Sequence, residues 1–476
     1  MSKRIGLFLL LIFTGLPTFA AEIVSTLADQ EEVAVTIYND DLALVRDRRQ
    51  VTLPKGEADL ALREVSARMR PETALLRSLS HPKGMAVFEQ NFDFDLLTPG
   101  KLLEKYVGGT VLVVRSHPQT GIDQAESATV LAANEGVVLK VGDRIETGLP
   151  GRLVFPDVPA NLRDRPTLVV SLASDALARQ QLELSYLTGG LGWQADYVAA
   201  LDADEKTLDL SGWVTLTNQS GTSYRNARLQ LVAGDVNRVR DDLRLRKGVV
   251  MEEVMTMAAA PAMASESLFE YHLYTLARPT TLRENQTKQV ALLDASGVPL
   301  RKEYRLGGGS HYYQGQYGDL GQKLKVAVFI EFDNKKAAQL GLPLPKGVVR
   351  VYKQDRTGQP QFIGEDRIDH TPENETVRLK LGEAFDVTAN RRQTDFRKLG
   401  GDSRYNYRFE SAFEIVLKNA KDEAVTVTVV EPVPGDWRVL EESHPHRKGS
   451  AGAAVWQVPV AAKGEATLTY RVEVSY

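Results

Sequence analysis

The sequence predicts an all-β protein of several domains, built from Ig-like β-sandwiches with a small SH3- or Sm-like barrel near the N-terminus. Three observations carry this. Short runs that alternate apolar and polar residues recur along almost the whole chain, separated by turn residues at short intervals, as in half-buried strands of a sandwich. Only one segment has the full punctuation of a helix. The chain has no cysteine, and 43% of its residues are hydrophobic. Its stability must therefore come from buried apolar faces rather than from disulfides.

In chain order, residues 1–20 read as a secretory leader. Lys3 and Arg4 give the positive start, residues 5–13 the apolar run, and Pro17 breaks it before Thr18 and Ala20 at a cleavage site. The run is shorter than the ~20 apolar residues of a membrane span. No later segment reaches that length, so the expected mature chain has no transmembrane segment and is periplasmic or secreted. Without cysteine there is no lipid-anchored residue after the leader, so a lipoprotein is not expected.

Residues 21–97 read as a small sandwich. In "EEVAVTIYNDDLALVRDRRQVTLPKGEADLAL" the expected order is strand, turn, strand, turn, strand. Val33, Val35 and Ile37 share one expected face; Leu42, Leu44 and the stem of Arg46 share another. In "LTPGKLLEKYVGG" Thr98 is the expected N-cap, Pro99 the first helical residue and Gly108 the stop. Four or five short strands follow, and 98–160 form the barrel-like domain. From Thr167 the pattern is nearly all strand: 161–410 is read as a central sandwich. Residues 411–476 are read as Ig-like strands that pack on it or continue it. Two flexible loops are expected, a Met- and Ala-rich one near 250–267 and a Gly- and Tyr-rich one near 307–319. "WVTLTNQSGTSYRNARLQLVAG" and "FEIVLKNAKDEAVTVTVVEPVPG" echo each other, each a strand ending in Asn, a polar turn and a second strand.

The runs "GLGWQADYVAALD", "SGWVTLTNQSGTSYRNARLQLVAGDVN", "EYHLYTLARPTTLRENQTKQVALL" and, above all, the Leu-Gly-Leu-Pro-Leu-Pro-x-Gly-x-x-Arg-x-Tyr run at 340–352 resemble the bacterial exported family built on domain of unknown function 4139. Some members carry the label mucoidy inhibitor A-like. The resemblance covers residues ~170–476 best and serves as a guide to fold. It implies β-sandwiches, a cell-envelope location and no catalytic residues. Longer members have a coiled-coil insertion; no heptad run is present here, so a role tied to that insertion is not carried over.

Formal charge is −4 with no basic block, which gives no electrostatic footprint for nucleic acid. Absence of cysteine excludes thiol catalysis and thiolate metal sites. "GEDRIDHTPENETVRL" gathers several carboxylates around His370; on a strand Asp366 and His370 would face one way and could converge as a metal or acid/base pair. The competing reading is a polar turn. His444 and His446 read as an exposed loop.

In "GLGWQADYV" Trp193 and Tyr197 share a face with Ala195 between them, which favours the core. Trp213 lies opposite Val214 and Leu216, which already supply a core face, and an exposed Trp there suits sugar stacking or partner contact. The expected binding residues are therefore Trp213, Trp193, Tyr197, Asp366 and His370. The expected function is non-catalytic binding or scaffolding on an envelope protein or polysaccharide, with no cofactor. The alternative is a carbohydrate-active or metal-dependent hydrolase using carboxylates around 365–386.

Overall fold

The computed structural model describes residues 22–39, 41–134, 136–149, 151–159, 162–234, 237, 263–400, 404–449 and 452–476. The expected leader and residues 250–262 of the Met- and Ala-rich stretch lie outside the described residues. The protein is all-β, with one short α-helix among the described residues. It divides into two compact units. Unit 1 holds residues 1–192, 217–230 and 278–286; unit 2 holds 193–216, 231–277 and 287–476.

Unit 1 contains β1 (Ile23–Ser25), β2 (Gln30–Tyr38), β3 (Leu42–Leu53), β4 (Gly56–Arg63), β5 (Leu75–Ser78), β6 (Met85–Asp93), α1 (Pro99–Lys105), β7 (Thr110–Ser116), β8 (Asp123–Ala132), β9 (Val138–Val141), β10 (Arg144–Thr147), β11 (Arg152–Val154), β12 (Thr167–Ser174) and β13 (Ala178–Thr188). One sheet has the order β1-β4-β12-β6; another contains β2-β3-β13-β5. The expected domain border at 161 is thus corrected. β12 pairs antiparallel with β4 and β6, and β13 with β3 and β5. Alternation in a sequence identifies a strand but not its neighbour, and these partners lie far back in the chain.

The expected face of β3 is also corrected. Its buried residues are Leu42 and then Ala43, Val45, Asp47, Arg49, Val51 and Leu53, while Leu44 and Arg46 are half-buried. Two charged residues are inside because they satisfy each other. Arg49 pairs with Asp47 at 2.8 Å, and it donates to the carbonyls of Ser25 at 3.0 Å and Arg63 at 2.8 Å. A buried charge is tolerated when paired and fully hydrogen-bonded.

Between β6 and β12 stands the small helix-capped sheet, in the order β10-β9-β8-β7-β11. Its helix starts as expected: Pro99 opens it and the Thr98 hydroxyl accepts from the Lys101 amide at 3.2 Å. Leu103 packs among Val111, Val113, Val130, Leu139 and Val141. β10 and β11 are its two edges, so the sheet stays open.

The remaining strands are β14 (Leu191–Leu201), β15 (Thr207–Asn218), β16 (Tyr224–Ala233), β17 (Ala264–Leu268), β18 (Tyr271–Thr275), β19 (Thr280–Leu282), β20 (Gln286–Gly307), β21 (Asp319–Asp333), β22 (Gly347–Gln354), β23 (Pro360–Ile368), β24 (Thr376–Leu399), β25 (Arg408–Asn419), β26 (Val425–Pro432), β27 (Asp436–Glu442), β28 (His446–Lys448), β29 (Ala453–Val460) and β30 (Glu465–Ser475). The large sheet runs β23-β22-β14-β15-β20-β21-β24-β25-β30-β27. β26 pairs parallel with the end of β20 and antiparallel with β29. Between these strands and β25 and β30 lies a core that includes Phe413, Ile415, Val427, Trp456, Leu468 and Tyr470.

The Gly- and Tyr-rich segment 307–319, read from its composition as flexible, is tethered to this core. Tyr313 ends a 3-10 turn and is fully buried. Its hydroxyl donates to Glu431 at 3.0 Å and lies 3.0 Å from the Tyr470 hydroxyl. The Gln393 amide donates to the carbonyls of Tyr312 at 3.2 Å and Gly315 at 3.0 Å. Glu431 in turn pairs with Arg391 at 2.6 Å, their side chains 0% and 1% exposed. Gly308 passes so close over Glu431 that a methyl group there would collide with the carboxylate. Here glycine serves close approach, not mobility.

The sequence echo has a physical basis. At the end of β15, the Asn218 amide donates to the Thr222 carbonyl at 2.9 Å and its oxygen accepts from the Ser220 amide at 3.1 Å. At the end of β25, Asn419 does the same with the Glu423 carbonyl at 2.8 Å and the Lys421 amide at 3.0 Å. Each asparagine, buried, stands in for the backbone of the turn that follows it.

Candidate functional site

Strands β14 and β15 split the sequence-predicted aromatic residues between two faces. Trp193 is 6% exposed and Tyr197 is 0% exposed, both on the face that also buries Ala195, Ala199, Val214 and Leu216. Trp193 lies with its ring centroid 6.4 Å from that of Tyr274. Its indole nitrogen is buried with no hydrogen-bond partner among the described residues. The Tyr197 hydroxyl donates to the Pro345 carbonyl at 2.8 Å, and burial pushes its pKa well above the usual phenol value. Both residues are core, not contact surface. Gly212, beside Trp213, leaves the room that the Tyr197 ring fills.

Trp213 is on the other face, as its position opposite Val214 and Leu216 implied, and is half-buried rather than fully exposed. That face carries a row of polar side chains across five strands. Glu365 on β23 meets Arg350 on β22 at 3.3 Å. Arg350 donates to Asp196 on β14 at 3.3 Å. The Thr215 hydroxyl on β15 donates to Asp196 at 2.7 Å, and Gln289 on β20 donates to Thr215 at 3.3 Å. Alternation places Trp213 one strand step from Thr215 on this face, and Tyr352 one step from Arg350. Tyr352 packs edge-on against Phe362 at 5.7 Å, and Phe362 is 55% exposed. The arrangement is an open sheet face with fixed hydrogen-bonding groups between a tryptophan and an aromatic pair.

The other two predicted residues do other work. Asp366 accepts from the Arg367 amide at 2.8 Å and from the Lys380 amide on β24 at 2.7 Å. It thereby ties β23 to β24 beside the Gly364 bulge, where no ladder runs between them. His370 accepts from the Lys346 amide at 3.2 Å. The two engage different stretches of backbone, because β23 ends at Ile368 and the alternation that would align them stops there. Among the described residues no three His, Asp or Glu side chains come together as metal ligands would. Asp202 caps the turn after β14, accepting from Lys206 at 2.8 Å and Thr207 at 3.1 Å.

Sequence reasoning missed His446. It pairs with Glu442 at 2.9 Å and its ring lies 5.7 Å from Trp437 and 5.9 Å from Trp456. The Trp456 indole also donates to Glu442 at 2.9 Å. Two tryptophans from strands β27 and β29 create this site, and nothing in "ESHPHRKG" signals them.

The 340–352 run is a docking device. Tyr274 donates to the Pro343 carbonyl at 2.9 Å, and Asn334 to the Leu342 carbonyl at 2.7 Å. Gly347 lets β22 lie against the Ala195 carbonyl of β14. The run thus holds Arg350 and Tyr352 on the open face. No curated protein matched the chain in comparison. The family model described as Domain of unknown function (DUF4139) matches residues 182–476, more than half of the chain and all of the site just described, and the chain belongs to that family.

Proposed function

We propose that this is an exported cell-envelope protein that acts by binding, and that its ligand is an envelope polysaccharide held on the open face of β22, β14 and β15. The observation that carries the reading is the Glu365–Arg350–Asp196–Thr215–Gln289 row beside Trp213. Saccharides offer hydroxyls to fixed polar groups and C–H faces to aromatic rings, and this face presents both. The leader-like residues 1–20 support export. Hydrolysis would need two convergent carboxylates with a free path to a glycosidic bond; here Asp196 and Glu365 are spent on Arg350, and Asp366 on backbone amides.

The test is gel retardation of the mature chain by envelope polysaccharides of its host, with Trp213→Ala and the wild type side by side. Trp213→Ala abolishes retardation and leaves the thermal midpoint in place. Equal retardation of both proteins refutes this face as the site. A photo-crosslinking residue at 213 that captures one envelope protein in cells, with no retardation by glycan, moves the partner from polysaccharide to protein.

A further inference from the structure

We infer that the outer face of β20, β26, β29 and β28 holds a site for a tetrahedral oxyanion, a phosphate or sulfate group. Register builds it from two rows of paired residues, and residues paired across strands share a face. In one row Arg305 on β20 lies beside Thr428 on β26, and Thr428 lies opposite Gln457 on β29. In the next row Gly307 lies beside Val430, Val430 opposite Val455, and Val455 opposite Arg447 on β28. The alternate residues Val427, Val429 and Trp456 point the other way, into the core. Arg305 and Arg447 therefore stand at the two ends of one patch, three strand spacings or about 14 Å apart across the sheet.

The polar groups of this patch are unspent. The neighbouring arginines on the same face have their acids: Arg301 meets Asp333 at 3.2 Å, and Arg378 meets Glu331 at 3.3 Å and also Glu303. Among the described residues the side chains of Arg305, Arg447, Thr428 and Gln457 form no hydrogen bond and no ion pair. Nor is the patch loose surface. Thr428 is 6% exposed and Val455 5%, although both face away from the core; the stems of long flanking side chains cover such positions. Burial first, and then the charge of Arg378, lowers the Arg305 pKa; Glu303 and Glu331 oppose this, and Arg447 adds to it. The fold thus keeps a half-buried guanidinium near two others while its nearest acids are engaged by Arg378. A bound anion relieves that repulsion.

The donor set points to the class of anion. A flat carboxylate takes two parallel bonds from a single guanidinium fork. Here two guanidiniums approach from opposite ends, with a hydroxyl and a carboxamide between them, which suits a group with three or four oxygens. None of these residues belongs to the β22, β14 and β15 face, so the two sites stand or fall separately.

Phosphorus NMR of inorganic phosphate titrated with the mature protein at low ionic strength tests the inference. The wild type broadens the phosphate line saturably. Arg305→Gln and Arg447→Gln each weaken binding roughly tenfold to a hundredfold, the loss of a charge-assisted bond. Arg447 is exposed, so its variant keeps the fold even if Arg305→Gln does not. Arg356→Gln, in the exposed turn between β22 and β23, removes the same charge and leaves binding as it was. Sedimentation with phosphatidylglycerol vesicles then reads the source of the group. Vesicle binding that Arg305→Gln and Arg447→Gln both abolish assigns the site to a lipid head group; phosphate binding without vesicle binding assigns it to a soluble phosphate. A wild type that leaves the phosphate line sharp overturns the inference. So does an equal loss in Arg356→Gln, which is a response to net charge alone.

Discussion

Replacing Arg391 by methionine tests how the C-terminal core is held. The pair it forms with Glu431 is shut off from water, at 2.6 Å with side-chain exposures of 1% and 0%. Arg391→Met keeps the volume of the stem and leaves a carboxylate in an apolar interior with only the Tyr313 hydroxyl to meet it. Breaking one side of such a pair costs about 3–5 kcal/mol. Burial already pushes the Glu431 carboxyl up, with Arg391 and Tyr313 holding it back; without Arg391 it rises further. An acid whose folded pKa exceeds its unfolded value makes the fold bind more protons, so stability falls as pH rises between the two. The variant is therefore weakest at neutral pH and recovers toward acid pH.

In the double variant Arg391→Met/Glu431→Leu no charge is stranded, and most of the loss returns. The assay is urea unfolding followed by tryptophan fluorescence. All four tryptophans, Trp193, Trp213, Trp437 and Trp456, belong to unit 2, so the signal reports that unit alone. If Arg391→Met stays within about 1 kcal/mol of the wild type, below the range for a broken buried pair, the reasoning fails. It also fails if the double variant is no better than the worse single one.

Two further outcomes follow from the open face and its surroundings. Asp366→Ala removes the acceptor that joins Lys380 to β23; it lowers stability by roughly 1–3 kcal/mol in the same urea assay, yet leaves polysaccharide retardation unchanged. Asp355, in the turn between β22 and β23, accepts from the Thr357 hydroxyl and amide and the Gln359 amide. These donors, led by the Thr357 hydroxyl, hold its pKa down from 3.8 to about 2. Its contribution to the turn is full above the unfolded pKa and is lost as pH falls through about 2, which carboxyl NMR titration reads directly; a midpoint at the ordinary carboxylate value would show that the turn is not closed in solution.

Much of the local structure was legible in the residues. The sequence placed Val33, Val35 and Ile37 on one face, and all three are buried. It separated Trp193 from Trp213 because alternation on β14 and β15 is unbroken, and a period of two leaves no doubt about faces. What it could not reach depends on partners distant in the chain. β12 and β13 look like the start of something new until their pairing with β4 and β3 is seen. Tyr313 and Gly308 sit in a stretch with the composition of a loose loop, and only Glu431, arriving from β26, shows why both are there. Asp366 and His370 were expected to converge on an unbroken strand, but β23 ends at Ile368, between them. Charged residues in cores, Arg49 and Arg391 above all, defeat a reading based on polarity because their counter-charges come from elsewhere in space.

The small helix-capped sheet enters and leaves its parent at a single rung. Asp93 at the end of β6 lies directly across from Thr167 at the start of β12. Everything between them is, for the parent sheet, one overgrown hairpin connection. The entropy of closing such a connection grows only with the logarithm of its length, so the parent scarcely registers how much chain is hung there. A turn of about two to five residues would satisfy the same rung. The insert is thus cargo on a loop, open to being lost, exchanged or lengthened in related chains while the sandwich beneath it keeps its register.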